Sequence, residues 1–339
     1  MPSEPSVTLT LIRHGESDHN AAGLCQGSSD VPVLSPLGRA QAAGAAALLG
    51  ARVDRLWVSP LRRARDTAAA IRARRPDLPV PETVAALQET SLPAWEGRSF
   101  ARLRSEDPVG RQFWKAAPED FAMARDGDPG FRPGADALRR AETVLAMARA
   151  MSPGSHVVAV THGGTIRALL TRALGMPGAR LHAAAPDNAS ATRLALSMDG
   201  AQLAGFNEAV VPGWDRLCEA ARQGRPLTVL APTGLGPNIA PALGTGAAIP
   251  VSPALANLRA ATAPQQPILA EGPAGAVQAV LEAVLGLAPG AGAALGLASG
   301  AVHAIRPAGP DGPAALWLLN ARPVPAGAHT AHPFLKEVS

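Results

Sequence analysis

Apolar residues fall in short continuous runs through the first part of the chain, separated by stretches with helical spacing or by loops rich in glycine and proline. Residues 7–12 read as a buried strand. A Gly-, Ser- and Pro-rich loop over residues 23–36 follows, and residues 37–49 read as a helix favoured by its alanines. Residues 56–58 form a second short run ending at Ser59-Pro60, and a helix over 62–74 stops before Pro76. Residues 98–135 mix charge with Phe100, Phe113, Trp114, Phe121 and Phe131, which predicts an irregular helical cap rather than sheet. Helical spacing resumes over 136–150, residues 157–160 form another apolar run, and a helix over 165–174 closes at Gly175. Strands alternating with helices imply a largely parallel sheet.

Beyond about Gly205 charge thins out, and Ala, Gly, Pro and Leu dominate. Residues 157–175 align without gaps on 268–286, pairing Leu169-Leu170 with Val280-Leu281 and Leu174-Gly175 with Leu285-Gly286. Thr228-Val229-Leu230 before Gly234 echoes Thr10-Leu11-Ile12 before Gly15. Val251-Ser252-Pro253 with Thr262-Ala263 echoes Val58-Ser59-Pro60 with Thr67-Ala68. The pattern reads as a shortened internal repeat, chance similarity in Ala-rich sequence being the alternative. The expected organisation is a domain over 1–207, a linker over 208–225, a degenerate repeat over 226–325 and a tail over 326–339.

Composition narrows the partners. The net charge is +4, carried mostly by arginine, which suits small anionic molecules. Aromatic residues make up 3% and tyrosine is absent, so the stacking groups expected of a nucleic-acid binder are missing. Cys25 and Cys218 form neither a disulfide framework nor a paired-thiol metal site. The apolar stretch 274–297 is interrupted by Glu282, Pro289 and glycines, which argues against a membrane span. With no basic-then-apolar segment over residues 1–6, the expected compartment is the cytoplasm.

Two histidines carry the candidate chemistry. His14 follows the run at 7–12 within Arg13-His14-Gly15-Glu16, and His162 follows the run at 157–160 within Thr161-His162-Gly163-Gly164. Strand ends are where open α/β sheets place ligands, and a glycine after the histidine lets the backbone turn away from the imidazole. A neutral imidazole is a nucleophile, and the guanidinium forks of Arg13 and Arg63 match phosphate oxygens. Arg63 stands near the start of a helix, whose amino end favours anions.

These residues sit in a longer series: Arg13-His14-Gly15-Glu16-Ser17 with Asn20, Gln26-Gly27, Leu34-Ser35-Pro36-Leu37-Gly38 with Gln41-Ala42, and Ser59-Pro60-Leu61 with Arg63-Ala64 and Thr67-Ala68. Leu87-Gln88-Glu89 with Trp95-Glu96-Gly97, Thr161-His162-Gly163-Gly164 and Asn188-Ala189-Ser190 complete it. Over about residues 7–207 the chain resembles the phosphatase branch of the histidine phosphatase superfamily, which also contains phosphoglycerate mutases. The resemblance implies an α/β three-layer sandwich, a mostly parallel central sheet with helices on both faces, followed here by a smaller degenerate α/β lobe. It implies that His14 is transiently phosphorylated and that Arg13, Arg63 and His162 hold the phosphoryl group. Asn20 adds a hydrogen bond, Gly163 contributes to substrate binding, and Glu89 donates the proton. No metal or organic cofactor is implied.

The leading expectation is a metal-independent phosphomonoester hydrolase acting on a small phosphorylated metabolite. A phosphoglycerate mutase-type transferase and a regulatory or binding protein with vestigial activity are the alternatives. Neither nucleic acid nor membrane is an expected partner, and an oligomer is possible, with the C-terminal lobe acting as an internal partner. Glu16 is expected to order its loop, Arg62 and Arg65 to be solvated, and His19, His156 and His182 to lie at the surface or an edge. His303, His329 and His332 suit no metal site. Trp95 and Trp114 are expected either to wall the pocket or to pack. Pro93 and the Pro133-Gly134-Ala135-Asp136 segment depart from the family pattern, which puts in doubt the approach of Glu89 and the start of the following helix.

Overall fold

In the computed structural model, the described residues are 6–211, 213–223, 225, 227–233, 243, 245, 248–251, 268–298, 301–306 and 314–321. The chain divides into two compact units: residues 1–181 with 186–202, and residues 182–185 with 203–339.

The first unit opens with β1 (Val7–Arg13), the short α1 (Asp18–Ala21), α2 (Pro36–Ala45), β2 (Arg55–Val58), α3 (Arg62–Arg74) and β3 (Glu82–Thr83). It continues with α4 (Phe100–Glu106), α5 (Pro108–Ala116), β4 (Met123–Arg125), β5 (Asp128–Phe131), α6 (Pro133–Arg149), β6 (His156–Thr161), α7 (Gly163–Ala173) and β7 (Ala191–Leu196). Its sheet runs β7-β1-β6-β2-β3, parallel throughout except for β7. Buried parallel strands need apolar residues on both faces, and alternation assigns them. Ile12, Leu56, Val58, Val158 and Val160 pack with Ala45, Ala64, Ala68 and Ile71 of α2 and α3. The residues between them, Leu9, Leu11, Val157 and Ala159, are equally buried and serve the other face, where α6 and α7 pack on one another and on β1. The expected three-layer α/β arrangement is therefore present.

The expectation for residues 98–135 needs correction. Helices α4 and α5 are there, but β4 and β5 form an antiparallel pair joined at Asp126-Gly127. Gly127 adopts φ +77°, the left-handed conformation that a two-residue hairpin turn requires, and Asp-Gly is a strong signal for it. Under this hairpin Cys25, Trp95, Leu103, Phe121, Met123 and Phe131 form a separate buried cluster. Trp95 stacks 5.2 Å from Phe121 and donates its indole N–H to Asp107 Oδ2 at 2.9 Å, so packing is its observed place. Helix α6 begins at Pro133, three residues earlier than the spacing suggested, because proline at the first helical position has no N–H to satisfy.

The second unit contains β8 (Ala201–Glu208, from Leu203 onward), α8 (Gly213–Arg222), β9 (Thr228–Pro232), β10 (Ile249–Pro250), β11 (Ile268–Gly272), α9 (Ala274–Leu285), β12 (Val302–Arg306) and β13 (Ala315–Ala321). Residues 208–225 are thus not a plain linker: Leu217, Cys218, Ala220 and Ala221 of α8 are buried with Val229, Leu269 and Trp317 in one cluster. The strands run β10-β11-β9-β12-β13-β8, parallel from β10 to β9 and antiparallel beyond. That order repeats the first unit's β2-β6-β1-β7 direction for direction. Registers agree too: Gly272 pairs with Pro232 as Thr161 pairs with Arg13, and Thr233 donates to the Gly272 carbonyl at 3.1 Å as His14 donates to that of Thr161 at 2.9 Å. One sequence pairing shifts by a residue, since Val251 N–H bonds the Glu271 carbonyl as Ser59 N–H bonds that of Val160. Gly234, Ser252-Pro253, Thr262-Ala263, the tail 326–339, His329 and His332 lie outside the described residues.

Candidate active site

His14 directly follows β1 and His162 directly follows β6, and because these strands are parallel neighbours both imidazoles emerge at the same carboxyl edge. Their ring centroids are 5.1 Å apart at 57°, and the residues are 2% and 0% exposed. The turn after His14 is anchored by Gly15 N–H to Thr67 Oγ1 at 3.1 Å and by Asn188 Nδ2 to the His14 carbonyl at 3.0 Å. An added Cβ on Gly15 would lie 2.2 Å from the Gly38 carbonyl oxygen, and one on Gly38 only 1.8 Å from that of Glu16, so the loop and α2 meet backbone to backbone. Glu16 orders this contact: its carboxylate accepts from Ser35 Oγ at 2.7 Å and its N–H donates to Gln41 Oε1 at 3.0 Å. Ala189 holds a left-handed φ of 52°, and its N–H reaches the carbonyls of Arg13 and His14 at 3.0 and 3.2 Å.

Hydrogen bonding sets the tautomer of His14. His14 Nδ1 lies 2.7 Å from the Gly15 carbonyl, which can only accept, so Nδ1 carries the hydrogen and Nε2 keeps its lone pair. His162 Nε2 lies 2.7 Å from Ser59 Oγ, which in turn accepts from Leu61 N–H at 3.3 Å. The serine oxygen has two acceptor sites and one hydrogen, so this contact serves either tautomer of His162, whose Nδ1 is buried without a protein partner. Burial, then the positive charges of Arg13 and Arg63, holds the His14 imidazole well below its ordinary value. Burial likewise lowers His162, followed by Arg63, His14, Arg13 and Arg140.

Arg63 lies in the first turn of α3 and is fully buried, whereas Arg62 and Arg65 are exposed. Its two terminal nitrogens donate to the carbonyls of Ser29 at 2.7 Å and Gly27 at 2.8 Å, while the buried Nε has no protein partner. The loop that receives it is fixed by Glu96, whose Oε1 accepts from Ser28 N–H at 2.7 Å and Ser28 Oγ at 3.1 Å. Arg13 donates to the Pro186 carbonyl at 2.9 Å, and Gly163 lies beside its guanidinium, where a Cβ would sit in ordinary contact at 3.4 Å from Nε.

Glu89 reaches the amino end of α7. Its Oε2 accepts from Gly164 N–H at 3.1 Å, and its Oε1 accepts from Thr165 N–H at 3.2 Å and from Thr90 N–H at 2.7 Å. His162, the N-cap residue, makes no side-chain cap, so a carboxylate from another loop satisfies those amides. Pro93 does not keep Glu89 away from the histidine segment. Asn20 Oδ1 is occupied by Ser17 N–H and Asn188 Nδ2, both at 3.2 Å, which leaves its amide hydrogens as the end able to donate elsewhere.

Sequence reasoning missed several supports. Ser59, Thr67, Glu96 and Asn188 stood in the matching motifs without a role, and Arg140 stood outside them, its signal being Asp136 one helical turn earlier. His156, half-buried at the start of β6, has its ring 2.8 Å from both Thr10 Oγ1 and the Arg52 carbonyl. His19 does sit at an edge, beside Asp18. His303 is buried, which lowers it to about 4. Among the described residues no cluster of three His, Cys, Asp or Glu side chains could hold a metal ion, and no helix is long and apolar enough to cross a membrane. Both cysteines are buried free thiols.

An α/β unit with two imidazoles and two guanidiniums gathered at the carboxyl edge of its sheet defines a phosphoryl-handling class. The chain belongs to the histidine phosphatase superfamily (branch 1), whose family model matches residues 9–209. Glucosyl-3-phosphoglycerate phosphatase of Mycobacterium tuberculosis is 36% identical over 196 residues, 55% of this chain and 84% of that protein. The adenosylcobalamin/alpha-ribazole phosphatase of Salmonella typhimurium is 34% identical over 179 residues, 52% of this chain and 83% of the relative. A solved structure of mycobacterial glucosyl-3-phosphoglycerate phosphatase with VO3 matches at a TM-score of 0.52 and 32% identity, covering 60% of this chain and 99% of that one. The family match stops short of most of the second unit, so the repeat expected there gains no support from these relatives.

Proposed function

We propose that the first unit hydrolyses phosphomonoesters of small metabolites through a phosphohistidine at His14, without a metal. The observation that carries this reading is the buried pair His14 and His162, 5.1 Å apart, both within the fields of Arg13 and Arg63. Desolvation and two cations keep His14 neutral, so the Nε2 lone pair is available for in-line attack on phosphorus. As the Nε2–P bond forms, the P–O bond breaks and its electron pair goes to the departing alkoxide, which takes a proton from Glu89. The buried Nδ1 of His162 and Nε of Arg63, neither with a protein partner, are suited with the Arg13 fork and the Asn20 amide to the phosphoryl oxygens. The Glu89 carboxylate then accepts a proton from water, the hydroxide oxygen attacks phosphorus, and the Nε2–P bond breaks to release phosphate.

The similarity to a glucosyl-3-phosphoglycerate phosphatase and an alpha-ribazole phosphatase makes their namesake phosphates the first substrates to try. A panel of phosphorylated metabolites, scored for both phosphate release and isomerisation, tests the reading. Release without isomerisation is expected, while isomerisation of phosphoglycerate without release would favour the mutase. His14→Ala is expected to lower turnover by on the order of 10⁴ or more. Equal rates in the variant and the wild type would remove the nucleophile.

A further inference from the structure

The segment that carries Glu89 has an unusual backbone environment: all four consecutive carbonyls from Ala86 to Glu89 accept side-chain hydrogen bonds. Thr161 Oγ1 donates to the Leu87 carbonyl at 2.7 Å and Thr165 Oγ1 donates to that of Gln88 at 2.8 Å. The other contacts come from one guanidinium, that of Arg140 on α6. One terminal nitrogen donates to the carbonyls of Ala86 at 3.1 Å and of Gln88, and the other donates to that of Glu89 at 3.3 Å. Its Nε is fixed by Asp136 Oδ2 at 2.8 Å, one helical turn away, and the arginine side chain is only 14% exposed.

We propose that Arg140, oriented by Asp136, is a positioning residue that holds the Glu89 segment so that its carboxyl group addresses the leaving-group oxygen. The proposal rests on Glu89 being the proton donor. Two threonines fix where the segment crosses the ends of β6 and α7, and the planar fork of Arg140 fixes its remaining carbonyls. A lysine at this position could satisfy one carbonyl at a time but not reproduce the fork. The arginine touches no reacting atom, so its effect must appear only where the proton matters. An alkyl phosphate expels a strongly basic alkoxide and needs the proton, whereas a nitrophenyl phosphate expels a stable phenolate and hardly does.

The test compares kcat/KM, which reports steps up to departure of the alcohol, for an alkyl phosphate and for 4-nitrophenyl phosphate. Glu89→Gln sets the reference, with about a 10²–10⁴-fold loss expected on the alkyl substrate and little on the aryl one. Arg140→Met is expected to lose about 10–100-fold on the alkyl substrate only, and to add nothing in the Glu89→Gln background. Arg140→Lys should recover part of the rate, and Asp136→Asn, which keeps the guanidinium, should show a smaller loss with the same substrate dependence. Equal losses on both substrates in the Arg140→Lys and Asp136→Asn proteins would mark a structural role only and overturn the proposal, as would no loss at all. If Glu89→Gln itself shows no dependence on the leaving group, the assignment of the proton donor fails and the proposal falls with it.

Discussion

At the scale of single residues, the two imidazoles are defined by what surrounds them. His14 and His162 are fully enclosed and face arginines, so both resist protonation below the ordinary histidine value of 6.5. The unfolded chain, in contrast, takes up protons at these rings as pH falls through about 6.5. Below that pH the unfolded state binds more protons than the folded one, so stability falls with decreasing pH until the lowered native values are reached. Ring resonances of His14 and His162 in labelled protein should therefore remain those of neutral imidazole at pH 6, while urea unfolding midpoints decline between pH 7 and 5. Protonated rings at pH 6 in the folded protein would contradict this account. The pair was legible in the sequence because each histidine ended an apolar run and preceded glycine. Ser59, which holds His162 Nε2 at 2.7 Å, was not, because a serine before proline also reads as an ordinary turn.

At the scale of elements, loops that meet across the sheet edge give the site its shape. Glu96 grips Ser28, and the carbonyls on either side, Gly27 and Ser29, grip Arg63. Gly27 holds a left-handed φ of 49°, and a Cβ there would be 2.1 Å from Glu96 Oε1, so the loop has little freedom to settle differently. Removing the acid in Glu96→Ala should free the loop and loosen Arg63, weakening inhibition by vanadate or phosphate by about tenfold, the equivalent of one charge-assisted hydrogen bond. Unchanged inhibition constants would show that Arg63 keeps its place without the loop. Strands β1, β2 and β6 could be read from their apolar runs, since burial on both faces leaves little else possible. Strands β4 and β5 could not, because they show only short and mostly exposed segments, and the Asp126-Gly127 turn was the one signal. Helix α8 stands in a stretch that reads as a linker, although Leu217, Ala220 and Ala221 fall at helical spacing and Asp215, Arg216, Glu219 and Arg222 fill its other positions.

At the scale of the whole molecule, the second unit's strands β10-β11-β9-β12 lie in the same order and directions as β2-β6-β1-β7 of the first. At the end of β9, just beyond it and just before α9 stand Pro232, Thr233 and Pro273, none of which can act as an imidazole or a guanidinium. Hydrolysis by Thr233→Ala should match wild type, because the threonine offers neither an imidazole nor a guanidinium to the phosphoryl group. A large loss would assign the second unit a part in turnover. The gapless match of 157–175 on 268–286 reads in sequence as a degenerate repeat, a reading without support from the relatives, since the family model ends at residue 209, and the one-residue offset at Val251 was not legible because only pairing reveals register. The second unit also draws on two separate stretches of chain, residues 182–185 and 203 onward, with the Ala185 N–H donating to the Leu316 carbonyl at 3.1 Å and the Leu316 N–H to that of Ala183 at 2.8 Å. The polypeptide therefore crosses the border three times. A single genetic breakpoint near residue 205 would excise most of the later unit yet strand its earlier tetrapeptide in the remaining gene product. Modular exchange between such proteins has to carry both pieces or neither.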